Sequence, residues 1–237
     1  MELNNDNRER YKRNMLLHDI GAEGQEKILN AKVLIIGVGG LGSPIALYLA
    51  AAGIGCIGLI DNDNVDISNL QRQIIHFTDD IGLPKVYSAK AKINAINPEV
   101  EVITYHELFD INNAISIISN YDIIIDATDN SYSKFFINDV CVANDKPLIH
   151  GAINQYTGNV MTILPGTANY RTLFPEQPTD TPSSASFGIL GVVAGIIGII
   201  QATEALKYIT GIGALLTDTL LTYDALTMDF TKIHISK

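Results

Sequence analysis

The sequence predicts an α/β fold: a mostly parallel sheet with helices on both faces, extended by antiparallel strands in the C-terminal half. Three observations carry that reading. Short β-branched runs alternate with helical stretches as far as residue 151, the rhythm of βαβ units. A glycine-rich turn, "GVGGLG" (37–42), joins an apolar run to an alanine-rich one. Past residue 151 the rhythm breaks, and the chain ends in two strand-like runs around a tight turn.

The elements follow in order. Residues 8–30 read as helix in two pieces, broken around Gly21. "KVLII" (32–36) reads as a buried strand, and a helix follows the glycines. In that helix Pro44 suits the first turn, Ala50 to Ala52 favour the helical state, and Gly53 suits the end. "CIGLI" (56–60) is a second strand, 84–97 a helix, 100–106 a strand and 111–119 a helix. Residues 121–127 read as strand, 131–144 as helix and 147–151 as strand. "NVMTILP" (159–165) is a strand after a Thr-Gly turn, and a Pro/Ser/Thr-rich loop fills 166–186. A long helix runs to about Thr210, and 219–235 holds the last two strands. With no internal repeat and no linker, one domain spans 1–237: helices over 1–30, a first half over 31–151 and a second over 152–237.

Bulk composition narrows the partners. The chain is 47% hydrophobic with a net charge of −10, which disfavours broad binding to nucleic acid or anionic membrane. Arg8, Arg10, Lys12, Arg13 and Lys27 nevertheless cluster near the N-terminus. The first residues lack the apolar core of a secretory signal. The longest apolar run, 187–200, falls short of a bilayer span and reads as a buried helix. Two cysteines, Cys56 and Cys141, give no disulfide framework, so a reducing cytoplasm is expected.

Gly37, Gly39 and Gly42 fit G-x-G-x-x-G, with Gly40 beside them, and Asp61 ends the next strand. Glycines let the backbone approach phosphate oxygens, the following helix offers its N-terminus, and an acid at Asp61's distance can accept ribose hydroxyls. An adenosine with phosphates is the expected ligand; NAD and ATP fit this turn equally well. The next residues separate them. Asp63, Asn69, Arg72, Gln73 and Lys85 follow the ribose acid, and "DATDN" (126–130) adds Asp126 and Asp129. Hydride transfer has no need of two cations and an extra acid there. Reaction at the α-phosphate of ATP does: Arg72 and Lys85 can neutralise spreading charge, and Asp129 makes sense as a ligand to Mg²⁺.

Together with "RYKRNMLL", "IDNDNVDISNLQRQ", "GLPKV", "KPLIHGAI", "LFPEQP", "GVVAGIIGIIQATEALK" and "YDALTMDF", these stretches make the chain resemble the ThiF/MoeB/HesA superfamily from Arg10 to Phe230. The resemblance implies a Rossmann-like single domain that uses ATP to adenylylate the C-terminal glycine of a small ubiquitin-like sulfur carrier ending in Gly-Gly. It implies a nucleotide-binding half at 31–151 and a carrier-binding half at 152–237 with a crossover loop at about 166–186. Gly37 to Gly42 would hold phosphates and Asp61 the ribose. Asn69, Arg72, Gln73 and Lys85 would surround the triphosphate, with Asp129 on Mg²⁺. Arg13 matches an arginine that members supply across a homodimer interface; Asn14 stands where glutamine is usual. Leu173 and Phe174 would lie near the groove for the carrier's tail.

Two features of many relatives are missing. Where a zinc-binding C-x-x-C pair would fall, this chain has Asn169 and Thr172, so zinc is not expected. His150 and His234 read as structural histidines. Where some relatives carry a crossover-loop cysteine, Ser184 stands here. Serine without an adjacent base is a poor nucleophile, so the reaction is expected to stop at the acyl-adenylate, with a separate protein delivering sulfur. Gly188, Gly191, Gly195 and Gly198 would line one face of the long helix for packing or a subunit interface. The alternatives are an NAD(P)-dependent oxidoreductase and a non-catalytic nucleotide-binding scaffold.

Overall fold

The computed structural model describes residues 3–177 and 188–236. Among them the strands form one sheet in the order β3-β2-β1-β4-β5-β6-β7-β8. The parallel part comprises β1 (Lys32–Ile36), β2 (Cys56–Ile60), β3 (Glu101–Tyr105), β4 (Ile123–Asp126) and β5 (Leu148–Asn154). β6 (Thr157–Ile163), β7 (Thr219–Asp224) and β8 (Asp229–His234) continue it antiparallel.

Apolar side chains on both faces of the parallel strands explain their continuous hydrophobic runs. On β1, Val33 and Ile35 face one core with Ile57, Leu59, Ile123 and Ile125. Leu34 and Ile36 face the other with Ile60, Ile124 and Tyr121. The first core is covered by α4 (Gly42–Ala52), α5 (Lys85–Ile96) and α9 (Gly191–Thr210), the second by α6 (Ala114–Ile118) and α7 (Ser131–Ala143). Every residue of β8 is exposed, as suits a strand at the sheet's end.

The N-terminal helices are three rather than two: α1 (Asn5–Arg10), α2 (Lys12–Met15) and α3 (Gly21–Asn30). Gly21 (φ +55°) does mark a break, as the first residue of α3. The turn before β6 also differs from expectation. Thr157 and Gly158 already pair with Asn154 and Ile153, so Gln155 and Tyr156 make the bend, with Gln155 at φ +52°. α9 starts at Gly191 because Ile189 bridges to Gln155 in extended form. By length and composition α9 could cross a bilayer. Here it packs on β5, β6, α3 and α4 and buries three polar side chains, Gln201, Glu204 and Thr210. Gln201 donates to the Asp126 carbonyl at 2.8 Å. Glu204 accepts from Thr162 at 2.6 Å and from the Leu216 N–H at 2.8 Å.

Of the four glycines, Gly191 and Gly198 are packing positions. A methyl group on Gly191 would meet the Gln71 carbonyl at 2.4 Å, and one on Gly198 the Leu41 carbonyl at 2.6 Å. Gly188 and Gly195 have open space.

Candidate active site

The chain runs outward from β1 to β3 and then returns to β4 on the other side of β1. This reversal opens a crevice beyond the carboxyl ends of the strands, the place where such sheets bind ligands. A cleft of about 260 Å³ lies there.

The glycine turn forms its floor because other backbones come too close for side chains. A Cβ on Gly37 (φ +94°) would sit 2.8 Å from the Ala127 carbonyl oxygen, where the segments after β1 and β4 cross. One on Gly42 would lie 2.2 Å from the Gly37 oxygen, so Gly42 packs α4 onto the turn and does not itself line the cleft. Gly37, Gly39 and Gly40 do line it. No side chain caps α4, whose N-terminus carries partial positive charge toward this end.

The segment after β2 brings in the charged groups. Asp61 Oδ2 accepts the Val38 N–H at 2.7 Å, and Oδ1 accepts the Asp63 N–H at 2.8 Å. Burial pushes the Asp61 carboxyl above its ordinary range, against the pull of Lys85. Lys85 is 6% exposed and opens α5; its Nζ donates to Asp63 Oδ2 at 2.7 Å. Asp63 therefore aims the lysine as well as lining the cleft. Arg72 lies along Gly40, with Nη1 on the Ser68 carbonyl at 3.0 Å. Gln73, 4% exposed, abuts Gly39, and its buried Oε1 has no partner among the described residues.

Beyond β4, Asp129 stands exposed on the rim of the cleft. The turn leading to it is fixed from below. Asp126 accepts from Thr128 N and Oγ1 at 3.0 and 2.6 Å, from Lys134 Nζ at 3.1 Å and from His150 Nδ1 at 3.0 Å. Although Asp126 is buried, Lys134 and the His150 hydrogen bond hold its carboxyl far below the usual range. Burial, reinforced by Lys134, lowers His150 as well, so the ring is a neutral donor. His150 is thus a structural histidine.

Besides Gly42, two expected site residues lie outside this chain's cleft, and one of them, Arg13, is expected at a partner's site. Asn69 does not line the cleft; its side chain closes a capping box with Asp66 on the short 3₁₀ turn Ile67–Asn69. Its carbonyl accepts from the Arg72 and Gln73 N–H groups and so shapes their turn. Arg13 is exposed on α2, outside the cleft. Tyr11, just before it, packs where a Gly53 Cβ would be, at the far end of α4.

Some contributors left no pattern in the sequence. Leu108 and Phe109 after β3, with Ile137 of α7, give the cleft an apolar end suited to a planar base. His76 and Lys134 act from beneath, and only their reach across the fold reveals them.

Where thiolates would stand in a zinc-binding pair, Asn169 and Thr172 form a capping box on α8 (Tyr170–Leu173). The Phe174 ring lies tilted against Tyr170, with ring centroids 5.0 Å apart. Ser184 lies outside the described residues. Cys56 and Cys141 are buried, their thiols pushed up to about 11 and about 12 by desolvation.

The donor set suits a nucleoside triphosphate: a cradle that a Cβ would fill, two cations, and an acid aimed by the glycine turn. No group of three or more His, Cys, Asp or Glu among the described residues could hold a metal alone. A cation at Asp129 would therefore draw its other ligands from phosphate and water, the usual way Mg²⁺ is bound.

The model of the ThiF family matches residues 11–237. The SAMP-activating enzyme E1 of Haloferax volcanii is 41% identical over 95% of this chain and 84% of its own length. The sulfur carrier protein adenylyltransferase of Thermus thermophilus is 40% identical over 97% and 88%. The probable adenylyltransferase/sulfurtransferase MoeZ of Mycobacterium tuberculosis is 43% identical over 96%, but this chain spans only 60% of it. A crystal structure of E. coli MccB with MccA-N7isoASN has a TM-score of 0.86 at 24% identity, over 99% of this chain and 73% of that one. A structure of MccB with ATP has a TM-score of 0.84 at 25% identity and the same coverage. Matched by the family model along almost its whole length, the chain belongs to the ThiF family.

Proposed function

We propose that the chain is an ATP-dependent adenylyltransferase that activates the C-terminal glycine carboxylate of a small ubiquitin-like sulfur carrier protein. The observation that carries this reading is the convergence of Arg72, Lys85 and Asp129 on the cleft floored by Gly37, Gly39 and Gly40. The names of two relatives support it: the Thermus protein is an adenylyltransferase of a sulfur carrier protein and the Haloferax protein a SAMP-activating enzyme.

In the reaction a carboxylate oxygen of the carrier attacks the α-phosphorus of ATP. The bond to the bridging oxygen breaks, pyrophosphate leaves and an acyl-adenylate remains. Lys85, aimed by Asp63, and Arg72 offset the charge that spreads over the phosphate oxygens. Asp61 holds the ribose, and the apolar end at Phe109 and Ile137 excludes water from the base. Mg²⁺ at Asp129 would supply further charge neutralisation. Ile153 and Ile189 also line the cleft, and their apolar side chains suit the entry of a glycine-ended tail. Neither buried cysteine suits thioester formation, so we assign sulfur delivery to a separate donor protein. A homodimer with Arg13 acting on the partner's site and a cytoplasmic setting complete the reading, and the capping box at Asn169 supports a fold without zinc.

The test is ATP–pyrophosphate exchange with and without carriers ending in Gly-Gly. Exchange that requires such a carrier and is abolished in Asp129→Ala supports the assignment. ATP binding without exchange under any carrier would instead indicate a scaffold, and preference for NADH an oxidoreductase.

A further inference from the structure

The cleft's phosphate-facing residues come from three separate segments: the glycine turn, the stretch 67–77 carrying Arg72 and Gln73, and the start of α5 carrying Lys85. One buried side chain touches all three. His76 belongs to the second segment and is 3% exposed. Its Nε2 lies 2.9 Å from the Val38 carbonyl oxygen in the glycine turn. Its Nδ1 lies 2.8 Å from Ser88 Oγ on α5, three residues beyond Lys85. A carbonyl can only accept, so Nε2 carries the proton and donates, while Nδ1 meets the serine hydroxyl, which also hydrogen-bonds the Asp80 carboxylate. Val38 is thereby held by side chains at both its backbone groups, its N–H by Asp61 and its carbonyl by His76.

The geometry points to His76 as a positioning residue: it locks the glycine turn, the Arg72–Gln73 segment and α5 into one frame whose common target is the polyphosphate of a nucleotide. The inference rests on the nucleotide reading above and adds a residue that never touches the ligand. A frame of this kind acts on phosphates held between segments. The adenosine end is gripped chiefly by the apolar end near Phe109 and by Asp61, whose Oδ1 the Asp63 N–H holds without His76, and it depends less on the frame. Loss of His76 therefore separates the two ends of one ligand.

Calorimetric titration with ATP and with adenosine tests this, using wild type, His76→Phe, His76→Gln and Ser88→Ala. In His76→Phe the Kd for ATP rises roughly tenfold or more, while the Kd for adenosine stays within about twofold of wild type. His76→Gln keeps an amide N–H for the Val38 carbonyl and recovers part of the loss. Ser88→Ala cuts the link to α5, together with the hydroxyl's hydrogen bond to Asp80, and gives an intermediate value. Equal weakening toward both ligands, or unchanged ATP affinity in folded His76→Phe, overturns the proposal. If His76→Phe does not fold, ATP affinities at wild-type level in both His76→Gln and Ser88→Ala overturn it. Failure of the wild type to bind ATP at all would instead refute the nucleotide reading.

Discussion

The Asp61 carboxylate accepts the Val38 N–H at 2.7 Å, so the acid at the end of β2 is fastened to the second residue of the glycine turn. Its other oxygen takes the Asp63 N–H at 2.8 Å. Both oxygens keep a lone pair for a ribose, and their direction is fixed before any ligand arrives. Asp61→Asn turns one of these acceptors into a donor that faces an N–H. An opposed pair of this kind costs about 1–3 kcal/mol. The expected outcome is weaker binding of adenosine and ATP alike, by roughly tenfold or more, read by calorimetry. Unchanged affinity for both would remove Asp61 from the ribose site.

The glycines of the turn divide into packing and ligand-facing positions, and alanine tells them apart. On Gly42 the new methyl would lie 2.2 Å from the Gly37 oxygen, and neither backbone can yield. On Gly39 it would lie 3.5 Å from Gln73 Nε2, ordinary contact, but on the cleft floor. Gly42→Ala is expected to lower stability by several kcal/mol, on the order of 3 or more. Gly39→Ala should melt within a few degrees of wild type yet bind ATP poorly. Thermal melts beside ATP titrations check the pair; equal melting points would refute the division.

Lys134 spans Asp126 Oδ2 and the Gly151 carbonyl from a site 6% exposed. Lys134→Met strands a buried carboxylate, a change that costs about 3–5 kcal/mol. Adding Asp126→Asn to it removes the charge and should return a good part of that loss. Chemical denaturation of the single and double variants measures the difference. A double variant no more stable than the single would deny that the uncompensated charge is the cause.

The turn chemistry and the acid–cation series were legible in the sequence because they are local: glycines, Asp61, Arg72 and Lys85 follow one another at strand ends. The parallel strands were equally plain, since runs such as Val33 to Ile36 are apolar on both faces. What escaped is held together by distance. His76 reaches Val38 across 38 residues and Gln201 reaches Asp126 across 75, and no local period marks such side chains. The bend at Gln155 and Tyr156 was hidden for another reason: Gln155 adopts a positive φ that a Thr-Gly pair signals more plainly. Asn69 has the right position in the motif, but its Oδ1 accepts the Asp66 N–H in a capping box.

Two buried histidines give the fold a definite pH response. Desolvation lowers both His76 and His150 below the ordinary value of 6.5, so each is neutral in the folded chain. The unfolded chain binds their protons first, and stability falls as pH drops below about 6.5. Asp126, depressed in the fold, adds the same sign further down, because its stabilisation fades only as pH falls toward its folded value. Asp61, raised by burial, opposes them. Subtracting the slopes of variants isolates the histidines: between pH 7 and 5, stability should fall less steeply in His76→Gln and in His150→Gln than in wild type. Parallel slopes in melts across that range would show that the rings titrate normally.

Arg13 bears on whether one chain makes a whole site. It lies exposed on α2, two residues after Tyr11, which packs at Gly53 beyond the C-terminal end of α4. The cleft sits at the other end of that helix. Its 11 residues span about 16 Å, more than an arginine side chain reaches. Any contact between Arg13 and nucleotide must then come from a second copy. Arg13→Ala and Lys85→Ala chains should each be inactive in exchange with a Gly-Gly carrier. Refolded together in equal amounts, half the dimers pair unlike chains, and each of these contains one site with both residues intact. Recovery to about a quarter of wild-type activity follows from a two-fold assembly with random pairing. No recovery, with mixed dimers demonstrated by mass, would place Arg13 outside the reaction or build the site within a single chain.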